Sequence, residues 1–288
     1  MTVREPARAK VNLTLTVRGR RPDGYHALES LVTFANIADQ VTLAPGTASS
    51  VTVTGPFAAG IDGENLLDRT LSLLRATDPG VRLGAVTLEK NLPVAAGLGG
   101  GSADAAALLR AVARANPTRA LPLHDLAARL GADVAVCLAD APALMWGIGD
   151  RLIPLACNAA APLAAVLANP RQPLATPQVF QALGAGPSPA ETPPAAPGPF
   201  PDLDGLLAFM RGRGNDLEPP ALALLPVIAE VKAALLAQPA CRYVALSGSG
   251  PTCFGVFTAE PDAHRAAAAI AAARPGWWVM PARLDRPA

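Results

Sequence analysis

The sequence predicts an α+β protein in two parts, and three observations carry that expectation. The chain has 288 residues, about twice the length of a common domain. Apolar residues make up 51% and charged residues only 16%, ample material for a core. Segments of strict alternation are interleaved with segments of helical spacing.

The first element is residues 10–17, KVNLTLTV, whose polar–apolar alternation is the period of a half-buried strand. RGRRPDGYH follows as a turn-rich loop built on Pro22-Asp23-Gly24. LESLVTFANIADQVTLAP and SVTVTG extend this into a meander of strands. Residues 62–76 place Leu66, Leu67, Leu71 and Leu74 at helical spacing, with Asp62 as N-cap. A strand over 85–89, the loop NLPVAAGLGGG and a helix from Ser102 to about Ala115 come next. The helix HDLAARLG stops at Gly131 and leads into ADVAVCLA, so that Asp133 sits in a helix-to-strand loop. Residues 184–201, GAGPSPAETPPAAPGPFP, hold too much proline for a helix or central strand and read as a flexible surface insertion. Beyond it lie an apolar helix (PALALLPVIAEVKAALLA), a strand–turn–strand (RYVALSGSGPTCFGVF) and an Ala-rich helix before Trp277. The expected division falls between 155 and 156.

Several function classes are excluded by composition. With 24 basic and 23 acidic residues there is no basic excess to grip a nucleic acid. No apolar run approaches a membrane span, and MTVREPARAK has no apolar segment of a secretory signal. Cys137, Cys157, Cys241 and Cys253 form no C-x-x-C pair, and the three histidines have no metal-ligand spacing. Four reduced thiols in a cytoplasmic protein are expected. The oligomeric state stays open between monomer and homodimer.

The strongest local signal is PVAAGLGGGSADAAALLRA, where Gly97, Gly99, Gly100 and Gly101 separate a strand from a helix. Glycine lets the backbone take positive φ and brings N–H groups close to a ligand. A helix N-terminus adds unpaired N–H groups and a positive dipole end, so phosphate is the natural occupant. The Walker spelling fails because Ser102-Ala103 follows Gly101, and the dinucleotide fingerprint fails because its third glycine would stand at Ser102. Ser102 serves equally as helix cap or as hydroxyl ligand to a nucleotide-bound magnesium. Asp104 would repel phosphate unless a divalent cation intervened, a hint of Mg2+.

Lysine is scarce: Lys10, Lys90 and Lys232 stand against 21 arginines. Lys10 is either a strand-end lysine reaching water or a chosen ammonium. Asp133, beside an apolar run, is either a turn cap or a functional acid.

Together PARAKVNLTLTVRGRRPDGYHALESL, LPVAAGLGGGSADAAALLRA, LGADVAVCLADAPALMWGIGD and ALSGSGPTCFGVF resemble the GHMP kinase superfamily. AKVNL combined with DGYH narrows the resemblance to its bacterial isoprenoid-precursor branch, whose acceptor carries a cytidine diphosphate. Shorter islands, NPRQPLATPQVF and GNDLEP, continue it. The resemblance implies an N-terminal α/β domain (1–155) and a ferredoxin-like C-terminal domain (156–288) with the active site in a cleft between them. It implies an alcohol phosphotransferase using ATP and Mg2+ on a small molecule, without nucleic acid or membrane. Lys10 and Asp133 match the catalytic pair. Pro93, Ala95, Ala96, Gly97, Leu98, Gly99, Gly100, Gly101, Ser102 and Ala103 match the ATP loop, and Asn65 the adenosine-side asparagine. Tyr25 matches the residue stacked on cytosine with Phe180 opposite, and His26 the reader of its edge. Asn12, Thr176 and Asp133 fall at the acceptor side. Val94 and Ala135 depart from the family's commoner methionine and proline, as apolar exchanges. A sister kinase acting on homoserine or a mevalonate derivative would leave Tyr25 and His26 without a role. A non-catalytic nucleotide-binding regulator would leave Lys10 and Asp133 without one.

Overall fold

The computed structural model describes residues 2–61, 65–158 and 161–288. In chain order the strands and helices of the first half are β1 (Val3–Asn12), β2 (Thr16–Arg20), β3 (His26–Pro45), β4 (Ser50–Thr54), α1 (Leu66–Thr77), β5 (Gly84–Glu89), α2 (Gly100–Ala115), α3 (Leu123–Leu130) and α4 (Ala132–Ala139). They continue as β6 (Ala143–Gly147), β7 (Arg151–Pro154), β8 (Leu163–Asn169), α5 (Thr176–Leu183), α6 (Leu203–Arg213), α7 (Glu218–Leu224) and α8 (Val227–Leu236). The last elements are β9 (Cys241–Leu246), β10 (Cys253–Phe257), α9 (Glu260–Ala273) and β11 (Trp278–Leu284).

Two compact units result, interleaved along the chain. The first comprises Met1–Ala9, Ile37–Val94 and Gly99–Asp140; the second comprises Lys10–Asn36, Ala95–Leu98 and Ala141–Ala288. Strand β3 gives its two halves to different units. Its Ala35 pairs with Leu284 of β11, whereas Gln40 to Pro45 pair with β5.

In the first unit β5 lies between β3, antiparallel to it, and β4, parallel to it. SVTVTG therefore does not continue a meander, because β5 occupies the position beside β3. Val86 and Leu88 of β5 are buried while Ala85, Thr87 and Glu89 are exposed, the alternation of a half-buried strand. Helix α1 starts at Leu66 with Asn65 as N-cap; Asp62, the expected cap, lies outside the described residues. Helix α2 packs against α1 and α4 through a buried run from Ala103 to Leu109. Its alanines permit close approach, and Leu108 and Leu109 fill the remaining space. ADVAVCLA forms α4, correcting the expected loop-to-strand: an apolar run this short fits either state, and burial of Val134 and Cys137 one helical turn apart selects the helix.

In the second unit the order β11–β8–β10–β9 is antiparallel throughout, with the chain passing β8–helices–β9–β10–α9–β11. That is the ferredoxin-like arrangement. Strand β8 is buried over its full length, and α8 and α9 pack on this sheet. Strand β3 also pairs with β2 and β6 through its first half. The single apolar helix expected over PALALLPVIAEVKAALLA is broken into α7 and α8, inclined by 120°. Pro226, which lacks an N–H, sits at the break. Among the described residues no single helix is long and apolar enough to cross a membrane.

Leu108 is wholly buried at the centre of α2. Leu108→Ala is expected to cost about 2–5 kcal/mol of unfolding free energy, measured by urea denaturation; a change under about 1 kcal/mol would deny α2 its central packing role.

Candidate active site

The glycine loop is shaped by left-handed backbone at Ala95 (φ 52°), Gly97 (φ 73°) and Gly99 (φ 64°). Gly99, not Ser102, is the N-cap of α2, and Ser102 is its third residue. The left-handed turn at Gly99 brings its carbonyl to the N–H of Ala103 at 2.8 Å, closing the first helical turn earlier than the sequence suggested. No side chain caps this helix. The N–H groups of Gly100, Gly101 and Ser102 belong to the turn that has no intrahelical acceptors, which is the donor set a phosphate needs. The hydroxyl of half-buried Ser102 lies in that same turn.

Residues 95–98 are held within the second unit. The N–H of Thr252 donates to the carbonyl of Ala96 (3.2 Å), the Ser247 hydroxyl to that of Gly97 (2.9 Å), and the N–H of Lys10 to that of Leu98 (2.9 Å). Ser247 Oγ also accepts the N–H of Asn12 at 3.1 Å, so one hydroxyl joins β1 to the loop. A Cβ at Gly97 would stand 2.5 Å from the Ser247 carbonyl oxygen, so the close approach requires glycine. Lys10 and Asn12, two positions apart, are both buried. The Asn12 amide donates to Ser30 Oγ at 2.7 Å. The hydroxyl of Thr176, first in α5, lies 2.8 Å from that of Ser249. Ser247, Ser249 and Thr252 had been given no role from sequence, although the SGSG spelling between two apolar strands was the available signal.

The expected base-recognition residues gather in the second unit. Tyr25 is 61% exposed at the end of a turn in which Arg21 N–H donates to the Tyr25 carbonyl at 2.7 Å. His26 begins β3 and stacks on Phe180, with centroids 4.7 Å apart and planes inclined by 25°. Phe180 thus faces His26, where the sequence had placed it across from Tyr25; it also packs against the core beneath the ferredoxin-like sheet, because α5 turns that side inward. Burial, then the charge of Arg20, holds the His26 imidazole below its ordinary 6.5. At neutral pH it offers one donor and one acceptor.

The first unit holds the remaining expected residues. Asn65 accepts the N–H of Leu67 at 3.1 Å through Oδ1, while its buried Nδ2 has no partner among the described residues. Pro93 is buried. Asp133 lies in the first turn of α4, a position favoured for a carboxylate by the helix dipole.

Asp104, the source of the hint of magnesium, is engaged by a lysine. It is buried and bonded to Lys90 Nζ at 2.8 Å, and Lys90 is also paired with buried Asp39. Asp39 Oδ1 accepts the N–H groups of Asn91 (2.5 Å) and Leu92 (2.7 Å), so its acceptor capacity is already engaged by the backbone. Asp104 Oδ1 is buried without a partner among the described residues, the natural place for a proton. Burial foremost, opposed by Lys90 and reinforced by Asp39, pushes the Asp104 carboxyl up to about 7. Among the described residues no three acidic, histidine or cysteine side chains cluster as a metal cage.

The sign of the Asp104 titration follows from that pairing. With an ordinary value of 3.8 unfolded and about 7 folded, the native state retains a proton that the unfolded chain releases. Its stabilising contribution is complete below the unfolded value and declines as pH rises through about 7. Asp104→Asn is expected to lose less unfolding free energy than the parent between about pH 5 and about pH 8 in urea titrations. Parallel curves for the two would assign the proton to another group.

Comparison with known proteins places these features in a family. Residues 65–147 match the model of the GHMP kinases N terminal domain and residues 200–275 that of the GHMP kinases C terminal. The chain is 51% identical over 283 residues to the 4-diphosphocytidyl-2-C-methyl-D-erythritol kinase of Cereibacter sphaeroides (strain ATCC 17029 / ATH 2.4.9), covering 96% of this chain and 98% of that one. It is 48% identical to the kinase of the same name from Rhodopseudomonas palustris, covering 99% and 98%. The crystal structure of a 4-(cytidine 5'-diphospho)-2C-methyl-D-erythritol kinase superposes with a TM-score of 0.77 at 36% identity, covering 99% of this chain and 100% of that one. The chain therefore belongs to the GHMP kinases and, within them, to the 4-diphosphocytidyl-2-C-methyl-D-erythritol kinase family.

Proposed function

We propose that this chain transfers the γ-phosphoryl group of ATP to the 2-hydroxyl of 4-diphosphocytidyl-2-C-methyl-D-erythritol, releasing ADP, in the non-mevalonate route to isoprenoid precursors. Near full-length identity with kinases of that name carries the reading, and the uncapped, glycine-entered first turn of α2 supports it. The division into residues 1–155 and 156–288 is part of the same proposal, supported by family matches on either side of that boundary.

Phosphoryl transfer asks a protein for position and for neutralised charge more than for covalent chemistry. The N–H groups of residues 97–102 hold the triphosphate, with Ala103 closing the helical turn behind them and Pro93, Ala95 and Ala96 fixing the loop's approach. Asn65 directs its spare Nδ2 donor to the adenosine. The acceptor oxygen attacks the γ-phosphorus, the bond to the β–γ bridging oxygen breaks, and ADP leaves. Asp133 takes the hydroxyl proton, and Lys10 stabilises the nascent alkoxide. Magnesium, held by the nucleotide and Ser102, neutralises phosphate charge when bound. At the other end of the acceptor, Tyr25 offers its exposed ring to cytosine, His26 reads the base edge and Phe180 supports His26. Asn12 and Thr176 bind the methylerythritol side. The reaction is placed in the cytoplasm.

An ADP-release assay over the cytidine acceptor, homoserine and mevalonate tests the substrate. Asp133→Asn is expected to lower kcat by about two to four orders of magnitude with ATP binding retained; near-normal kcat would remove Asp133 from the base role. His26→Ala is expected to raise KM for the cytidine acceptor well above any change in KM for ATP. Equal changes would end the base-reading assignment.

A further inference from the structure

The proline-rich stretch expected to hang free is pinned along β2. Ser188 N–H donates to the Arg20 carbonyl at 2.8 Å, and Arg20 N–H donates to that of Gly186 at 2.7 Å, a parallel bridge centred on Arg20 and Pro187. On its other side Arg20 pairs with His26. Pro187 and Pro189 have no N–H, so Ser188 alone can donate here, and their fixed φ lowers the entropy of ordering. Gly19 makes room: a Cβ there would lie 2.6 Å from Ser188 Cα.

From this bridge the chain reaches Glu191, whose carboxylate pairs with Arg21 and lies 3.7 Å from Arg151. Arg21 also binds Asp23 at 2.8 Å, and Asp23 Oδ1 accepts the N–H of Tyr25 at 3.1 Å. Arg151 in turn covers the Trp146 ring at 4.7 Å. One acidic side chain thus anchors the turn that ends in Tyr25 and His26.

We infer that the segment from Ala185 to Glu191 is a positioning element for the cytidine end of the acceptor, with Glu191 as its positioning residue. This rests on the functional reading above. Glu191 acts through Arg21: it sets the Asp23–Tyr25 turn and, with the Arg20 bridge, the register in which Tyr25 and His26 present their rings. A segment carrying its own charge anchor confers acceptor specificity without touching the reacting atoms.

The test compares Glu191→Gln, which keeps shape and loses charge, Glu191→Arg, which repels both guanidinium groups, and Glu191→Asp, which restores the charge. KM for the cytidine acceptor is expected to rise about two- to fivefold in Glu191→Gln, the scale of one partly exposed ion pair. It rises further in Glu191→Arg and returns part of the way in Glu191→Asp, while KM for ATP stays within about twofold of the parent. Parent enzyme that fails to phosphorylate the cytidine acceptor overturns the functional reading and this assignment with it. Parent turnover with unchanged acceptor KM in the Gln and Arg variants, or with equal rises in both KM values, overturns this assignment alone.

Discussion

A carbonyl oxygen with no room for a neighbouring side chain governs the phosphate loop. The Ser247 carbonyl would stand 2.5 Å from any Cβ at Gly97, and the Ser247 hydroxyl bonds the Gly97 carbonyl. Glycine at 97 is thus demanded twice, by the left-handed φ of 73° and by this contact. The same hydroxyl accepts from Asn12, so the loop, the strand bearing Lys10 and the SGSG turn are fixed by a single oxygen. Exchanging Ser247 for a residue without a hydroxyl would leave a buried N–H and a carbonyl unsatisfied together.

A second constraint lies under the helix that receives the loop. Lys90 bridges Asp39, which binds the backbone of Asn91 and Leu92, and Asp104, in the first turn of α2. A Cβ at Gly100 would lie 3.1 Å from Lys90 Nζ, so the ammonium sits directly beneath the glycines. Burial of one cation between two carboxylates favours a proton on one of them, and Asp104 Oδ1, without a partner among the described residues, is where it fits.

Residues whose chemistry is local were legible in the sequence. The glycine spelling announced a loop of positive φ leading into a helix, and the strand pattern of residues 85–89 announced β5. The ferredoxin-like sheet came from resemblance, since periodicity fixes no strand order. Other features failed for identifiable reasons. Ser102 has the chemistry of a cap, but Gly99 takes the position through a backbone conformation that only three-dimensional crowding reveals. ADVAVCLA carries too few residues to separate helix from strand. SVTVTG has a strand's pattern, but its parallel partner β5 lies more than thirty positions along the chain. Proline density in 184–201 signals absence of helix and says nothing about an edge of β2 prepared by Gly19 to receive it.

The interleaving of the two compact units sets a timetable for biogenesis. The last segment of the first unit ends at Asp140, so every residue it needs has been polymerised when the ribosome reaches that point. The second unit must wait for β11, Trp278–Leu284, which supplies pairing to both Ala35 and the whole of β8. Until then β8, apolar on both faces, has an open hydrogen-bonding edge in the nascent polypeptide. Release of a chain before β11 is made would therefore set free an aggregation-prone strand.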